Sequence, residues 1–257
     1  MASPMVTRVF VLGRVEIESD GGLITESRFP GRQGRRLFAY LACNRQHPVT
    51  REELAEALWS DTLPPAWGSA LHALISKLRK LLDQVGDGET LSLAGEHGNY
   101  LLRIGRDIWI DREAAAEAID EAEARLRSGD VKRAWGPCNI AAISARRPFL
   151  PGEDGAWIER ERGRLHAILV RALDCLVDVW FANDEPALAV EAARESIRLE
   201  PFRETGYQRL IRLHKALGNR AEALRVYEDC RRLLASELGV DPSPDTEALF
   251  LELLGQS

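Results

Sequence analysis

The sequence predicts an α+β N-terminal half followed by an all-α C-terminal half, on three observations. Runs with the pattern of β-strands occur only in the first 110 residues, on either side of three segments with the apolar spacing of helices. Beyond Asp111 the chain is rich in Ala, Glu, Arg and Leu, and short breaks containing Gly, Asn, Asp or Pro separate its helical segments. The 257 residues are enough for two domains with a core each, which we place at 1–106 and 107–257.

The composition is that of a globular protein, with 45% apolar and 29% charged residues. No stretch of 18 apolar residues is present, so we expect no membrane-spanning helix, and the first residues lack the pattern of a signal peptide. The four cysteines are far apart and form no C-x-x-C motif, which favours unpaired thiols in a reducing compartment. We therefore expect a cytoplasmic protein that does not bind membranes.

The net charge of −6 is unevenly distributed along the chain. Residues up to Arg106 include 13 Lys and Arg against 12 Asp and Glu, whereas the remainder has 21 basic and 28 acidic residues. The acidity lies in the second half, so the first half can still present a basic face to an anionic partner.

Three strands are predicted at the N-terminus, followed by a first helix. The strands are an apolar run at 9–12, an alternating run at 15–18 and a short pair at 23–24 that follows a Ser-Asp-Gly-Gly turn. The helix extends from Gln33 to about Cys43.

Three arginines, Arg32, Arg35 and Arg36, crowd the beginning of the first helix. Positive charge opposes the helix dipole at this end and is mildly unfavourable there. The placement suggests an anionic partner, although arginines on a solvated surface are an equally good explanation.

The start of a second helix is marked by its capping residues. Thr50 and Glu53 stand in the spacing of a capping box, in which each side chain accepts a hydrogen bond from the backbone of the other residue. Leu54 and Leu58 then provide a buried stripe, and a proline-bearing loop at 60–65 ends the helix.

The third helix, 70–82, has two contrasting sides. Its leucines and isoleucine fall on one side at about 100° per residue, and the other side is small, hydrogen-bonding and cationic, without a carboxylate before Asp83. The outward residues are Ser69, His72, Ala73, Ser76, Lys77 and Lys80, with Arg79 at the margin. Short polar side chains for base edges, flanked by cations for phosphates, are what a helix in the DNA major groove requires, although an ordinary surface helix can share this pattern.

Two more strands follow at 90–93 and 100–104, joined by a glycine-bearing tip at 95–99. Strands, three helices and a final hairpin, in this order, form a winged helix-turn-helix. The hairpin is the wing and the helix 70–82 occupies the recognition position, so DNA binding becomes the favoured interpretation of its cationic side.

The C-terminal half contains an internal period of 34 residues. PALAVEAARESIRLEP from Pro186 resembles RAEALRVYEDCRRLLA from Arg220, with Ala189 in register with Ala223. This period, with small residues where paired helices approach closely, is that of tetratricopeptide repeats. Pro137, which follows a glycine, is expected to kink or split the helix that contains it.

Together these features resemble the Streptomyces antibiotic regulatory protein family. The resemblance is carried by FVLG from Phe10, RRL from Arg35, REELAEALW from Arg51, ALHALISKLRKLL from Ala70, GNYLL from Gly98 and SELGVDPSPDTEALF from Ser236. The last segment is the most specific, because Leu-Gly-Val-Asp-Pro-Ser-Pro after a repeat helix has no generic reason to occur. The implied fold class is an α+β OmpR-type winged helix-turn-helix followed by an all-α, tetratricopeptide-like bacterial transcriptional activator domain.

The resemblance implies a sequence-specific transcription regulator, an activator that binds direct repeats in double-stranded DNA as a homodimer and recruits RNA polymerase. By position, the residues that would face base edges are Ser69, His72, Ala73 and Ser76. The remaining DNA contacts would come from Lys77, Arg79 and Lys80 on the same helix, from Arg51, Arg35 and Arg36 on the preceding helices, and from Asn99 and Arg103 on the wing.

The loop at 60–67 corresponds, in this resemblance, to the turn that OmpR-like activators offer to RNA polymerase. Asp61 and Trp67 are its candidate contact residues. Packing of Trp67 against its own domain is the competing interpretation.

Patterns for catalysis, cofactors or metals are missing from the sequence. It has no nucleophile elbow, no phosphate-cradling glycine loop and no two histidines at metal-ligand spacing. We therefore expect no enzymatic activity, no cofactor and no metal.

The helical domain has three candidate roles. It would dimerise the regulator, bind an unknown small-molecule effector or partner peptide, or only support the winged helix. For the whole chain, the alternative is a tetratricopeptide-type adaptor whose winged helix no longer binds DNA. Acidic Glu96 at the wing tip and the small positive charge of the first half leave this alternative open.

Overall fold

The structure, a computed structural model, describes residues 7–19, 22–60, 62–84, 91–105 and 108–255. It divides into two compact units. Unit one comprises Met1–Ala115 with Ser144–Leu165, and unit two comprises Ala116–Ile143 with His166–Ser257. Unit one thus takes in a segment from the helical half of the sequence. The division at residue 106 stays a prediction of where the two functional domains meet.

Unit one contains two β-sheets. Their strands are β1 (Thr7–Phe10), β2 (Glu16–Ser19), β3 (Gly22–Ile24), β4 (Val49–Thr50), β5 (Leu91–Glu96), β6 (Asn99–Ile104) and β7 (Ile108–Ile110). One sheet has the order β3-β2-β1-β7, with β7 parallel to β1, and the antiparallel hairpin β5–β6 forms the predicted wing in the order β4-β6-β5. The sequence did not indicate β4 and β7, because strands of two or three residues are too short to show an alternating pattern.

Three helices of unit one correspond to the three that the sequence predicted. They are α1 (Gly31–Cys43), α2 (Arg51–Trp59) and α3 (Trp67–Leu82). The capping box of α2 is present: Thr50 Oγ1 accepts from the Glu53 backbone N–H at 3.2 Å, and Glu53 Oε2 accepts from the Thr50 backbone N–H at 2.7 Å. Helix α3 begins at Trp67, three residues before the predicted start.

The core of unit one is completed by the segment Ser144–Leu165. Its Phe149 and Ile158 are fully buried with the apolar residues of the sheets and of α1–α3. Trp157, only 7% exposed, packs edge-on against Tyr40 with ring centroids 5.0 Å apart. Trp157 Nε1 also donates a hydrogen bond to the Ala57 carbonyl at 2.9 Å. The fold of the N-terminal half therefore depends on residues about a hundred positions away.

The helices of the second half are α4 (Asp111–Arg127), α5 (Val131–Ala145), α6 (Ala156–Ala182), α7 (Pro186–Leu199), α8 (Glu204–Ala216), α9 (Arg220–Glu237) and α10 (Pro244–Gly255). Helix α5 is continuous despite Pro137, which lacks the N–H that would bond to the Arg133 carbonyl. Arg125 Nη1 donates to that carbonyl at 2.5 Å and replaces the missing bond. The predicted split is therefore absent. In the described part of the chain, no helix combines the length and apolar character needed to cross a bilayer.

The predicted repeat is present in unit two as the helices α7 and α9, which begin 34 residues apart. Ala189 and Ala223, which match in the repeat, are both fully buried. A Cβ at Gly206 of α8 would lie 3.1 Å from Ile197 Cγ1 of α7, so the absence of a side chain allows the two helices to approach closely.

The C-terminal segment that carries the resemblance has a structural role. Glu204 Oε2 accepts hydrogen bonds from the Ser243 backbone N–H at 2.9 Å and from Thr246 Oγ1 at 2.6 Å. Gln208 donates to the same threonine hydroxyl at 2.9 Å. The Ser-Pro-Asp-Thr sequence therefore attaches the beginning of α10 to α8.

Candidate nucleic-acid interface

Helix α3 has the two sides that the sequence predicted. Leu71, Ile75, Leu78 and Leu82 are buried in the core of unit one. Among the outward residues, Ser69, His72, Ala73, Lys77 and Lys80 are exposed and Ser76 is half-buried. These residues span about 16 Å along the helix at 1.5 Å per residue, which is comparable with the width of the DNA major groove.

Two lysines supply the free positive charge of α3. Lys77 and Lys80 are exposed, and no carboxylate of the described residues lies within ion-pair distance of either. The helix itself has no acidic residue, and Lys80 lies in its last turn, where a cation interacts favourably with the helix dipole. Both charges are therefore free to meet phosphates.

Arg79 has a different role from its neighbours. Its Nε donates to the Leu93 carbonyl of β5 at 2.9 Å, and the side chain is half-buried. A Cβ at Gly95 would lie 2.4 Å from Arg79 Nη2, so the guanidinium lies against the strand where glycine leaves room for it. Arg79 is therefore a positioning residue that joins α3 to the wing.

The beginning of α3 combines two positive features. Ala66 provides no side-chain cap and the first turn has no acidic residue, so the backbone N–H groups at this end retain their partial positive charge. The Arg51 guanidinium carbon lies 4.7 Å from the Trp67 ring centroid, and a Cβ at Gly68 would lie 2.0 Å from Arg51 Nη2. Arg51 is thus held against the first turn of α3.

An open cavity of about 650 Å³ lies at this end of α3. It is lined by Arg51, Ser69, His72, Gly98 and Tyr100, among others. A guanidinium beside a helix N-terminus is a favourable environment for an anion such as a phosphate.

Two wing residues named from the sequence are exposed on β6. They are Asn99, opposite Thr50 of β4, and Arg103, opposite Ser92 of β5. At the tip, Glu96 and His97 are both exposed, with 3.6 Å between Glu96 Oε1 and His97 Nδ1. The acidic side chain at the tip is therefore paired with a histidine that is positively charged when protonated.

The arginines of α1 are not part of this surface. Arg36 is only 6% exposed, and its Nη2 donates to the Ala57 carbonyl at 2.8 Å. Its Nη1 lies 3.5 Å from a Glu153 carboxylate oxygen. The expectation that Arg36 contacts phosphate is wrong, because a buried and paired guanidinium cannot reach DNA.

The other two arginines of this cluster are also paired within unit one. Arg35 Nη1 lies 2.7 Å from Glu26 Oε1, and Arg32 Nε donates to Glu153 Oε2 at 2.6 Å. Arg35 is half-buried in this ion pair, which removes the reason for naming it as a DNA contact. Glu153 cannot be recognised as a partner from the sequence, because it lies more than 110 positions away.

The loop before α3 contains the predicted polymerase contacts. Asp61 lies outside the described residues. Trp67 is half-buried, packs on the core of unit one and lies beneath Arg51, which agrees with the packing interpretation. Leu63, which the sequence reasoning missed, is 47% exposed and is the large apolar side chain that this loop presents.

No group of three or more His, Cys, Asp or Glu with the geometry to hold a metal ion occurs among the residues that the structure describes.

Comparison with known proteins identifies both halves of the chain. Residues 110–254 match the family model described as the bacterial transcriptional activator domain, and residues 31–95 match the one described as transcriptional regulatory protein, C terminal. The regulatory protein AfsR of Streptomyces coelicolor is 31% identical over 247 residues, which cover 96% of this chain and 24% of AfsR. The transcriptional regulatory protein EmbR of Mycobacterium tuberculosis is 29% identical over 224 residues, which cover 86% of this chain and 57% of EmbR.

A solved structure shares the fold. The structure of Mycobacterium tuberculosis EmbR in complex with a low-affinity phosphopeptide matches with a TM-score of 0.86 and 24% sequence identity, over 98% of this chain and 66% of that one. The chain spans about a quarter of the length of AfsR and little more than half that of EmbR. Because a single family model covers more than half of its residues, the chain belongs to the bacterial transcriptional activator domain family, and the resemblance to the Streptomyces antibiotic regulatory proteins is confirmed.

Proposed function

We propose that this chain is a cytoplasmic, sequence-specific DNA-binding regulator of transcription, whose helix α3 enters the major groove. The observation that carries the proposal is the outward side of α3. It has no carboxylate and carries two lysines that no described carboxylate neutralises. It also lies in the recognition position of a winged helix-turn-helix.

The surface divides into residues for bases and residues for phosphates. Hydroxyl and imidazole groups of Ser69, His72 and Ser76 can donate to or accept from base edges, and Ala73 can pack on a thymine methyl group. The phosphate contacts are Lys77 and Lys80, Arg51 with the N-terminus of α3, and Asn99 and Arg103 from the wing. Arg79 supports this surface by fixing the wing.

The regulator acts, in this proposal, as an activator that binds direct repeats as a homodimer and contacts RNA polymerase through the loop before α3. The names of the relatives, which are regulatory and transcriptional regulatory proteins, support regulation of transcription. Exposed Leu63 is the side chain of the loop best suited to an apolar contact with the polymerase.

The experiment begins with selection of genomic DNA fragments on the full-length protein. We expect enrichment of a direct repeat with half-sites about one helical turn apart, and an affinity that falls steeply with salt concentration. If no fragment is enriched, the adaptor alternative becomes the better explanation.

A double variant then tests the docking. Lys77→Ala/Lys80→Ala removes two phosphate contacts, so the slope of log affinity against log salt should decrease by about 2 and the affinity by roughly tenfold or more. Arg231→Ala/Arg232→Ala removes the same charge from exposed positions on α9 and should change neither. Equal affinities and slopes for the lysine variant and the unmodified protein would refute the proposed docking of α3.

A further inference from the structure

Unit two has a groove between α7 and α9, with α8 as its floor. Its volume is about 440 Å³. The residues that matter for its chemistry are Arg194, Ile197 and Arg198 of α7, Tyr207 and Leu210 of α8, and Val226 of α9. All of them belong to unit two.

One wall of the groove carries unneutralised positive charge. Arg194 and Arg198 are exposed and lie one helical turn apart on α7, an arrangement of like charges that disfavours the helix. In the part of the chain that the structure describes, neither has a carboxylate within ion-pair distance. This is unexpected in a half of the sequence with 28 acidic and 21 basic residues.

The carboxylates on the opposite wall are already paired. Glu222 Oε1 accepts from Arg225 Nη1 at 2.8 Å, and Asp229 Oδ1 accepts from Arg232 Nη2 at 2.9 Å. The free charge of the groove is therefore the two guanidinium groups of α7.

The floor of the groove is apolar with one polar group. Ile197, Leu210 and Val226 provide the apolar surface. Tyr207 lines the groove and is only 7% exposed. Its hydroxyl is the polar group that the floor offers to a ligand.

We propose that this groove binds a small molecule in which a carboxylate is joined to an apolar body. The planar guanidinium group matches the two oxygens of a carboxylate, and the apolar floor lies directly beside both arginines. The volume lies within the range of small-molecule sites. The lined part of α9, from Glu222 to Asp229, is only about 10 Å long at 1.5 Å per residue, which suits a compact ligand better than an extended peptide.

The site indicates the chemical class of the small-molecule effector that the sequence analysis expects. The description of the groove as an effector site rests on the proposed function. Binding of a ligand to the groove does not, because it is measured without DNA. Failure of the binding experiment leaves the DNA proposal untouched, and the reverse also holds.

The test uses full-length protein and two fluorescent probes with the same apolar body. Anilinonaphthalene sulfonate carries an anionic group in place of the carboxylate, and N-phenyl-1-naphthylamine lacks any anion. We expect saturable binding of the sulfonate with one site per chain, displacement by decanoate and not by decanol, and weak binding of the neutral probe. Equal binding of the two probes would overturn the proposal.

Substitutions of groove residues test whether the probe binds in the groove. Arg194→Gln/Arg198→Gln should weaken binding of the sulfonate by tenfold or more, because two charge-assisted hydrogen bonds are lost. The matched control is Arg127→Gln/Arg133→Gln, which removes the same charge from exposed side chains of unit two outside the groove and should bind normally. Tyr207→Phe removes only the hydroxyl and should weaken binding a few-fold. Thermal unfolding of each variant verifies folding, and unchanged affinity in a folded Arg194→Gln/Arg198→Gln variant would refute the site.

Discussion

Unit one contains two cationic clusters that look alike in the sequence and differ in the structure. The arginines at the beginning of α1 are paired with Glu26 and Glu153, and Arg36 among them is buried. The lysines of α3, Lys77 and Lys80, are exposed and have no carboxylate partner among the described residues. One cluster stabilises the interior of the unit, and the other remains available to an anionic partner.

The difference shows that charge density along the chain does not identify an anion-binding surface. What decides is whether a carboxylate from elsewhere in the chain reaches the cluster when the protein folds. Glu153 reaches α1 because the segment that contains it packs in the core of unit one. No acidic residue of the described part of the chain reaches the outward side of α3, so none of them neutralises its positive charge.

The largest effect is expected from removal of that segment. A fragment ending at Ala115, the last residue of the first part of unit one, lacks Phe149 and Trp157 from the core and Glu153 from the α1 cluster, so it should show no cooperative thermal unfolding. A fragment of residues 1–165 keeps every part of unit one and should unfold cooperatively. Circular dichroism during heating compares the two, and a cooperative transition of the shorter fragment would contradict the assignment of Ser144–Leu165 to unit one.

The second prediction compares how much each of the two clusters contributes to the free energy of unfolding. Glu153→Ala leaves the buried Arg36 without its carboxylate and should lower the free energy of unfolding by about 3–5 kcal/mol. Lys80→Ala should change the free energy of unfolding by less than about 0.5 kcal/mol, because that side chain is exposed and no described carboxylate pairs with it. Unfolding in urea measures both. Similar losses for the two variants would remove the distinction between the clusters.

A smaller effect is expected at Arg79. Its side chain is half-buried, whereas Arg36 is buried and Lys80 is exposed. Arg79→Gln removes the hydrogen bond to the Leu93 carbonyl and should cost about 1 kcal/mol of stability. The salt dependence of DNA binding should stay the same, whereas Lys80→Ala should reduce its slope by about 1. If Arg79→Gln reduces the slope as much as Lys80→Ala does, then Arg79 contacts phosphate and is not only a positioning residue.

The smallest effect concerns His214 of unit two, a buried basic group. Neither of its ring nitrogens has a hydrogen-bond partner among the described residues, and burial, with a smaller effect of Arg194, lowers its pKa. The unfolded chain therefore binds a proton near pH 6.5 that the folded protein does not. This contribution to stability is fully present above pH 6.5 and is lost as the pH falls.

Urea unfolding at pH 7.5, 6.5 and 5.5 measures this loss. The free energy of unfolding should decrease by no more than about 1.4 kcal/mol per pH unit on account of this one histidine. His214→Phe should show a weaker decrease, and His47→Gln, at an exposed loop position, should behave like the unmodified protein. An identical pH dependence in His214→Phe would show that His214 is not responsible.

The helices, the wing and the repeat can be predicted from the amino-acid sequence alone. Capping at Thr50, the apolar side of α3 and the 34-residue period are local signals, each contained in one helix or one pair of related segments. Helix–strand periodicity is a property of neighbouring residues, so it can be seen without knowledge of the fold. For the same reason the outward residues of α3 can be identified from the sequence.

Which charges are paired, and which segments complete each core, follow from the packing of the folded chain. The pairs Arg36–Glu153 and Trp157–Ala57 join residues about a hundred or more positions apart, and the groove of unit two is formed by three separate helices. Arg79 is a positioning residue because its side chain donates a hydrogen bond to a carbonyl of β5. These contacts depend on how distant segments pack, and no periodicity, capping motif or composition along the chain records that packing.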